Sequence, residues 1–104
     1  MDHAVILHLK LSDGDMGSEA EREAIFALED RLAAAIEEPG LGEFDGNEFG
    51  GGECTLYFYG PDADRIYSAL VPILQMNSLA RGGHAIKRYG DVRDPNSREV
   101  MVRW

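Results

Sequence analysis

The order of apolar patterns along the chain predicts an α+β domain in which two helices cover one face of an antiparallel sheet. Two observations carry this. Short stretches in which apolar and polar residues alternate are separated by longer stretches in which apolar residues recur three and four apart. Clusters of Gly, Pro, Asp, Asn and Ser punctuate the joins.

The segment His3 to Leu11 puts Val5, Leu7, Leu9 and Leu11 on one side and Ile6, His8 and Lys10 on the other, a half-buried first strand. Ser12-Asp13-Gly14-Asp15-Met16-Gly17 is turn chemistry, and Ser18 followed by Glu21 is a capping-box pattern for a helix start. Ile25, Leu28, Leu32 and Ile36 form the apolar stripe of that helix, with Glu19, Glu23, Asp30 and Glu37 largely away from it. Pro39-Gly40 stops it.

Leu41 to Glu53 is glycine-rich, with Phe44 and Phe49 as its large apolar residues, and reads as an irregular strand ending in a hairpin at Gly50-Gly51-Gly52. Cys54 to Tyr59 alternates cleanly: Cys54, Leu56 and Phe58 on one face, Thr55, Tyr57 and Tyr59 on the other. Gly60-Pro61 ends the strand, and Asp62 or a neighbour caps a second helix with Ala63, Ile66, Leu70, Ile73 and Leu74 facing inward. Pro72 is expected to kink that helix or end its regular part. Arg81-Gly82-Gly83 is a loop, His84 to Tyr89 a fourth strand, Asp94-Pro95-Asn96 a turn, and Glu99 to Trp104 a fifth strand with Val100, Val102 and Trp104 on one face.

The sequence of elements is that of a ferredoxin-like βαββαβ sandwich with an additional C-terminal β-strand, built as one domain over residues 1–104. In that plan the second strand lies at one edge of the sheet and the fourth at the other. One sheet face is left open. By strand parity it carries His8, Lys10, Tyr57, Tyr59, Met101 and Arg103, and tyrosine, methionine and arginine are enriched at protein contact surfaces.

Composition narrows the function classes. The chain has a net charge of −9, with 16 acids and 3 bases in residues 1–64 against 3 acids and 7 bases in residues 65–104. An acidic total opposes general affinity for nucleic acid, which needs lysine and arginine to neutralise phosphates. Uninterrupted apolar runs such as Ala4 to Leu7 are far short of the roughly 20 residues of a membrane helix. Asp2 and Lys10 do not suit a signal peptide. The lone Cys54 cannot form an intramolecular disulfide, so a reducing cytoplasm is expected, with no membrane or nucleic-acid partner.

Several local features invite a chemical reading, and each has a simpler structural one. Glu43, Asp45, Glu48 and Glu53 could gather around a hard cation or serve as acid and base. Their spacing fits no calcium loop, and alternation sends Asp45 and Glu48 to opposite faces unless a bulge intervenes at Gly46, so a charged edge that discourages strand addition is preferred. Ser12 to Gly17 lacks the ligand positions of an acidic metal loop. Gly50 to Gly52 lie between two strands, where a hairpin explains them better than a phosphate cradle. Of His3, His8 and His84, His8 is the best placed for proton transfer, near Tyr57 or Tyr59, but no nucleophile accompanies it. Cys54 reads as a small buried hydrophobe. Tyr57 and Tyr59 have the position of base-stacking aromatics in RNA-binding sheets, against which the charge weighs. Neither metal nor cofactor is expected.

The run Glu43-Phe44-Asp45-Gly46-Asn47-Glu48, then Leu56-Tyr57-Phe58-Tyr59-Gly60-Pro61-Asp62-Ala63-Asp64, Pro72-Ile73-Leu74 and Arg88-Tyr89-Gly90, resembles a group of small bacterial α+β proteins of no assigned activity. The resemblance covers residues 41–104 and implies a small bacterial domain without transferring any catalytic residue.

The expected function is a noncatalytic interaction or regulatory module that pairs through its open face, most simply as a homodimer. Its acidic rim at Glu43, Asp45, Glu48 and Glu53 is expected to oppose a basic region at Lys87, Arg88, Arg93 and Arg98. Two alternatives stand beside it. One is a small enzyme or ligand binder using His8, Tyr57, Tyr59 and Arg103; the other is an acidic immunity or inhibitor protein that covers a basic partner.

Overall fold

The computed structural model describes residues 2–12 and 14–104, so Asp13 of the first turn lies outside the described residues. Five strands, β1 (His3–Lys10), β2 (Glu43–Gly50), β3 (Glu53–Gly60), β4 (His84–Arg88) and β5 (Glu99–Val102), form one antiparallel sheet in the order β2-β3-β1-β4-β5. Helix α1 (Glu19–Glu37) follows β1, and α2 (Ala63–Gln75) follows β3. A short 3-10 turn, Ser78–Ala80, leads into β4. The expected edge position of the fourth strand is not observed. β4 pairs with β1 on one side and β5 on the other, because the alternating Val100 and Val102 find a pairing partner in β4 while sharing its helix-side face.

Period-two alternation in β1 and β3 becomes burial directly. Val5 pairs with Phe58, Leu7 with Leu56 and Leu9 with Cys54, and all six side chains are fully buried. Ile25, Leu28, Leu32 and Ile36 of α1 and Ala63, Ile66, Leu70 and Leu74 of α2 pack on them in the same apolar cluster. Burying each large aliphatic side chain contributes about 1.5–3 kcal/mol. Trp104, just past β5, closes the far end by donating its indole N–H to Ala80 O at 3.0 Å.

The helix starts follow from their caps. Ser18 Oγ accepts the Glu21 N–H at 3.0 Å, as the capping-box pattern requires. The reciprocal half differs: the Glu21 carboxylate takes the Ser12 N–H and hydroxyl instead, tying the turn after β1 to the helix. Asp62 caps α2 through the N–H groups of Asp64 and Arg65, and His3 Nδ1 accepts the Ala63 N–H at 3.1 Å. Pro72 does not end α2, which continues to Gln75; its missing N–H gives up one i→i−4 bond, while the buried Leu70 and Leu74 on either side keep the turn packed.

Gly51 and Gly52 turn the β2–β3 hairpin with φ of 61° and 79°, the left-handed pair that matches strand twist. At the opposite end of the same two strands the backbones run so close that a Cβ on Gly60 would overlap Leu41 O, and one on Gly42 would overlap Tyr59 O. Gly60→Ala is therefore expected to cost about 1–3 kcal/mol, as other overpacked sites do, read as a lower midpoint in urea denaturation.

One carboxylate belongs to the helix–sheet contact. Glu29 of α1 is only 6% exposed and accepts a hydrogen bond from Asn47 Nδ2 of β2. Burial pushes its carboxyl up from the usual range, the Asn47 bond pulls it down, and Asp30 adds a smaller upward push. A carboxyl raised in the folded state stabilises the fold while it is protonated, and that contribution is lost as pH rises through its folded value. At neutral pH Glu29→Gln keeps the acceptor and removes the buried charge. The expected gain is ~1 kcal/mol, seen as a thermal midpoint a few degrees higher at pH 7.5 and a smaller difference from wild type at pH 4.5.

Candidate functional site

The sheet face turned away from the helices is assembled by register. Ile6 of β1 pairs with Tyr57 on one side and Ile86 on the other, and Ile86 pairs with Met101. This makes an apolar row, Tyr57-Ile6-Ile86-Met101, crossing four strands, half-buried at its centre and 54% exposed at Met101. Two residues further along β1 a polar row runs in parallel: Glu48 pairs with Thr55, Thr55 with His8 and His8 with His84. Arg103, one residue past β5, continues this row beside His84.

The two imidazoles of the polar row stack, with ring centroids 4.7 Å apart and planes 13° from parallel. His8 Nδ1 lies 3.5 Å from Glu53 Oε1. Burial, the neighbouring His8 ring and the cation of Arg103 hold the His84 imidazole below its usual range; Glu53 opposes them and Lys10 reinforces them. Burial and the nearby Glu48 carboxylate raise the Tyr57 phenol.

All six residues assigned to the open face from parity lie on it, but they do not converge. Tyr59 pairs with Ala4, four residues along β1 from His8, a separation of about 13 Å at ~3.3 Å per residue. His8 therefore neighbours Thr55 and His84 rather than Tyr59. Of three surface depressions of 350, 310 and 290 Å³, one is lined by Arg103 and Trp104 and the other two by Tyr59 with Asp2; none includes His8 or Tyr57. Ile6 was already on the side of His8 and Lys10 in that reading, but Ile86 and His84 at the centre of the face were absent from it. Their signal lay in β4, where Ala85 and Lys87 share a face and obscure which side is buried.

The acidic rim is spread along an edge. A register shift between Phe44 and Asn47, with Gly46 at φ 116°, inserts a bulge, after which Glu48 rejoins the face of Glu43. Glu43, Asp45 and Glu48 are exposed on β2, while Glu53 sits on β3 beside His8. Among the described residues no group of three or more His, Cys, Asp or Glu is placed to hold a metal ion.

The expected basic region is not a free basic rim. Lys87 lies on the helix side, 2.8 Å from Asp64, whose carboxylate also accepts the Tyr89 hydroxyl. Arg88 is 6% exposed and donates Nε–H to Gly90 O. Arg93 makes a double contact with Asp91, and Arg98 lies over the Tyr89 ring at 4.6 Å. β5 occupies the edge that those cations were expected to line; the segment before it supplies the partners of Arg88, Arg93 and Arg98, and α2 supplies that of Lys87.

The remaining candidates have structural roles. Cys54 is fully buried, and burial with the charge of Glu29 pushes its thiol up to about 12, far from a reactive thiolate. His3 caps α2 and stands edge-on to Tyr89. Among the described residues no helix is long and apolar enough to cross a membrane.

Because the folded His84 takes up a proton less readily than the unfolded chain, its contribution to stability is present above the unfolded value and lost as pH falls through the window below about 6.5. Thermal midpoints measured downward from pH 7 should fall more steeply for wild type than for His84→Gln. Equal slopes would mean that the stacked pair carries no such linkage. No family model, no curated protein and no solved structure matches the chain.

Proposed function

We propose that this chain is a noncatalytic interaction module that pairs with a second copy of itself through the open face of its sheet. The observation that supports this most directly is the row Tyr57-Ile6-Ile86-Met101, apolar across four strands and bordered by charge. Three strands of eight residues with one of five and one of four, at ~3.3 Å per residue and ~4.8 Å apart, offer on the order of 500 Å² per copy. Two such faces bury about 1,000 Å² in total, the threshold of a specific interface and the size class of a reversible one. Tyrosine, methionine and arginine on that face suit this use.

The same reading takes the fold as a ferredoxin-like βαββαβ sandwich extended by β5. Its support is the place of β1 between β3 and β4 and the helices that follow β1 and β3. A single buried thiol fits a reducing cytoplasm, and the resemblance of residues 41–104 favours a bacterial one. The ligand-binding alternative has less support, since none of these three depressions brings His8, Tyr57, Tyr59 and Arg103 together.

Sedimentation equilibrium across micromolar concentrations checks the proposal. Wild type is expected as a concentration-dependent dimer, and Ile86→Glu is expected to weaken the pairing at least ~10-fold while leaving the far-UV circular dichroism unchanged. A monomer at every concentration and salt level overturns it.

A further inference from the structure

We infer that the depression at the end of the sheet face where β1 begins binds a small molecule carrying one carboxylate, anchored by the guanidinium of Arg88. Register builds a third row there, two residues back along β1 from the apolar one. Glu43 pairs with Tyr59, Tyr59 with Ala4, Ala4 with Arg88 and Arg88 with Glu99. Ala4 at its centre is fully buried, so this end of the face is covered, and Arg88 beside it is only 6% exposed. A cation that far from water is costly unless it is paired. Among the described residues Arg88 forms no ion pair, and its one hydrogen bond, from Nε–H to Gly90 O, leaves both Nη nitrogens without a partner. Those nitrogens are not sealed off: among the described residues the one fully buried side-chain nitrogen or oxygen lacking a partner is Tyr67 Oη. Their opening is a depression of 310 Å³ that Arg88 lines together with Asp2, Tyr59, Asp91 and Arg93.

The nearby acids do not satisfy this cation. Both oxygens of Asp91 accept from Arg93, whose bonds, more than the charge of Arg88, hold that carboxyl well below the usual carboxylate range. Asp2 and Glu99 are exposed, and neither forms an ion pair with Arg88. Two Nη–H groups side by side in the plane of a guanidinium match the two oxygens of a carboxylate, the acceptor this site lacks. Charge limits the guest to one negative group. With Arg93 neutralised by Asp91, Arg88 shares the depression with the carboxylate of Asp2, and a doubly charged phosphate meets twice the repulsion that a carboxylate meets there. The volume is at the lower end of ligand clefts, which run from about 300 to 1,000 Å³, so the guest has few atoms beyond its carboxylate, and Tyr59 is the wall they meet. The site is complete within one copy, so the inference stands whether or not the face pairs.

The test is a titration of isotope-labelled protein with sodium acetate, against sodium chloride at equal ionic strength, followed by heteronuclear NMR of the arginine Nε–H groups and the backbone amides. Saturable shifts at millimolar acetate are expected at Arg88, Tyr59 and the amides of Gly90 to Arg93, with the exposed Arg81 and Arg103 unmoved. Arg88→Lys keeps the charge and loses the fork, and is expected to weaken acetate binding ~10-fold or more. Undiminished binding by the folded variant overturns the role of Arg88. Should Arg88→Lys fail to fold, the wild-type titration decides alone: shifts that are absent, that never saturate, or that appear equally at Arg81 and Arg103 overturn the inference. Inorganic phosphate binding more tightly than acetate overturns the choice of a carboxylate. If wild type does not respond and Glu99→Gln does, Glu99 itself occupies Arg88 in solution and the inference falls.

Discussion

Everything else in the molecule hangs on the two-sided pairing of β1. Its backbone is paired with β3 along its whole length and with β4 from Ala4 to His8. Val5, Leu7 and Leu9 are sealed beneath both helices. A central strand paired on both edges satisfies its polar backbone while burying one face. Both helices, the hairpin and the fifth strand are then placed relative to it. The opposite parity of the same strand, Ile6, His8 and Lys10, becomes the axis of the open face. The residues that hold the fold and those that form the candidate surface alternate along one eight-residue segment, so a register slip in β1 would exchange the two.

Much of this was legible because the signals were local. The alternation in Val5 to Leu9 and Cys54 to Phe58, the three-and-four spacing from Ile25 to Ile36, and the Ser18 and Asp62 caps each state a conformation within a few residues. What escaped the reading depended on partners distant in sequence. Nothing near Glu99 to Val102 says which edge the strand joins, and its docking on β4 turned an expected outer strand into an inner one. Lys87, Arg93 and Arg98 read as a basic rim for the same reason, since Asp64, Asp91 and Tyr89 neutralise or cover them only once the chain is folded.

The candidate surface was legible by half. Parity alone placed Tyr57, Tyr59, His8, Lys10, Met101 and Arg103 on one face. It did not place Ile86 and His84, because β4 carries the small Ala85 and the charged Lys87 on its buried side, where a run of large aliphatics would have declared the orientation. Nor does parity reveal distance: Tyr59 and His8 share a face yet lie at different ends of it, which separates a contact surface from a pocket. Glu29 escaped notice entirely. Its acidic side chain falls among residues that read as solvated, and only the bulged course of β2 brings Asn47 over it.

The two borders of the sheet have a consequence for assembly size. β2 is interrupted by its bulge and lined with carboxylates, and β5 is only four residues long. Each offers a poor template for another chain to add as a neighbouring strand. Strand addition at either margin, the step from which open-ended polymers and fibrils grow, is thereby disfavoured.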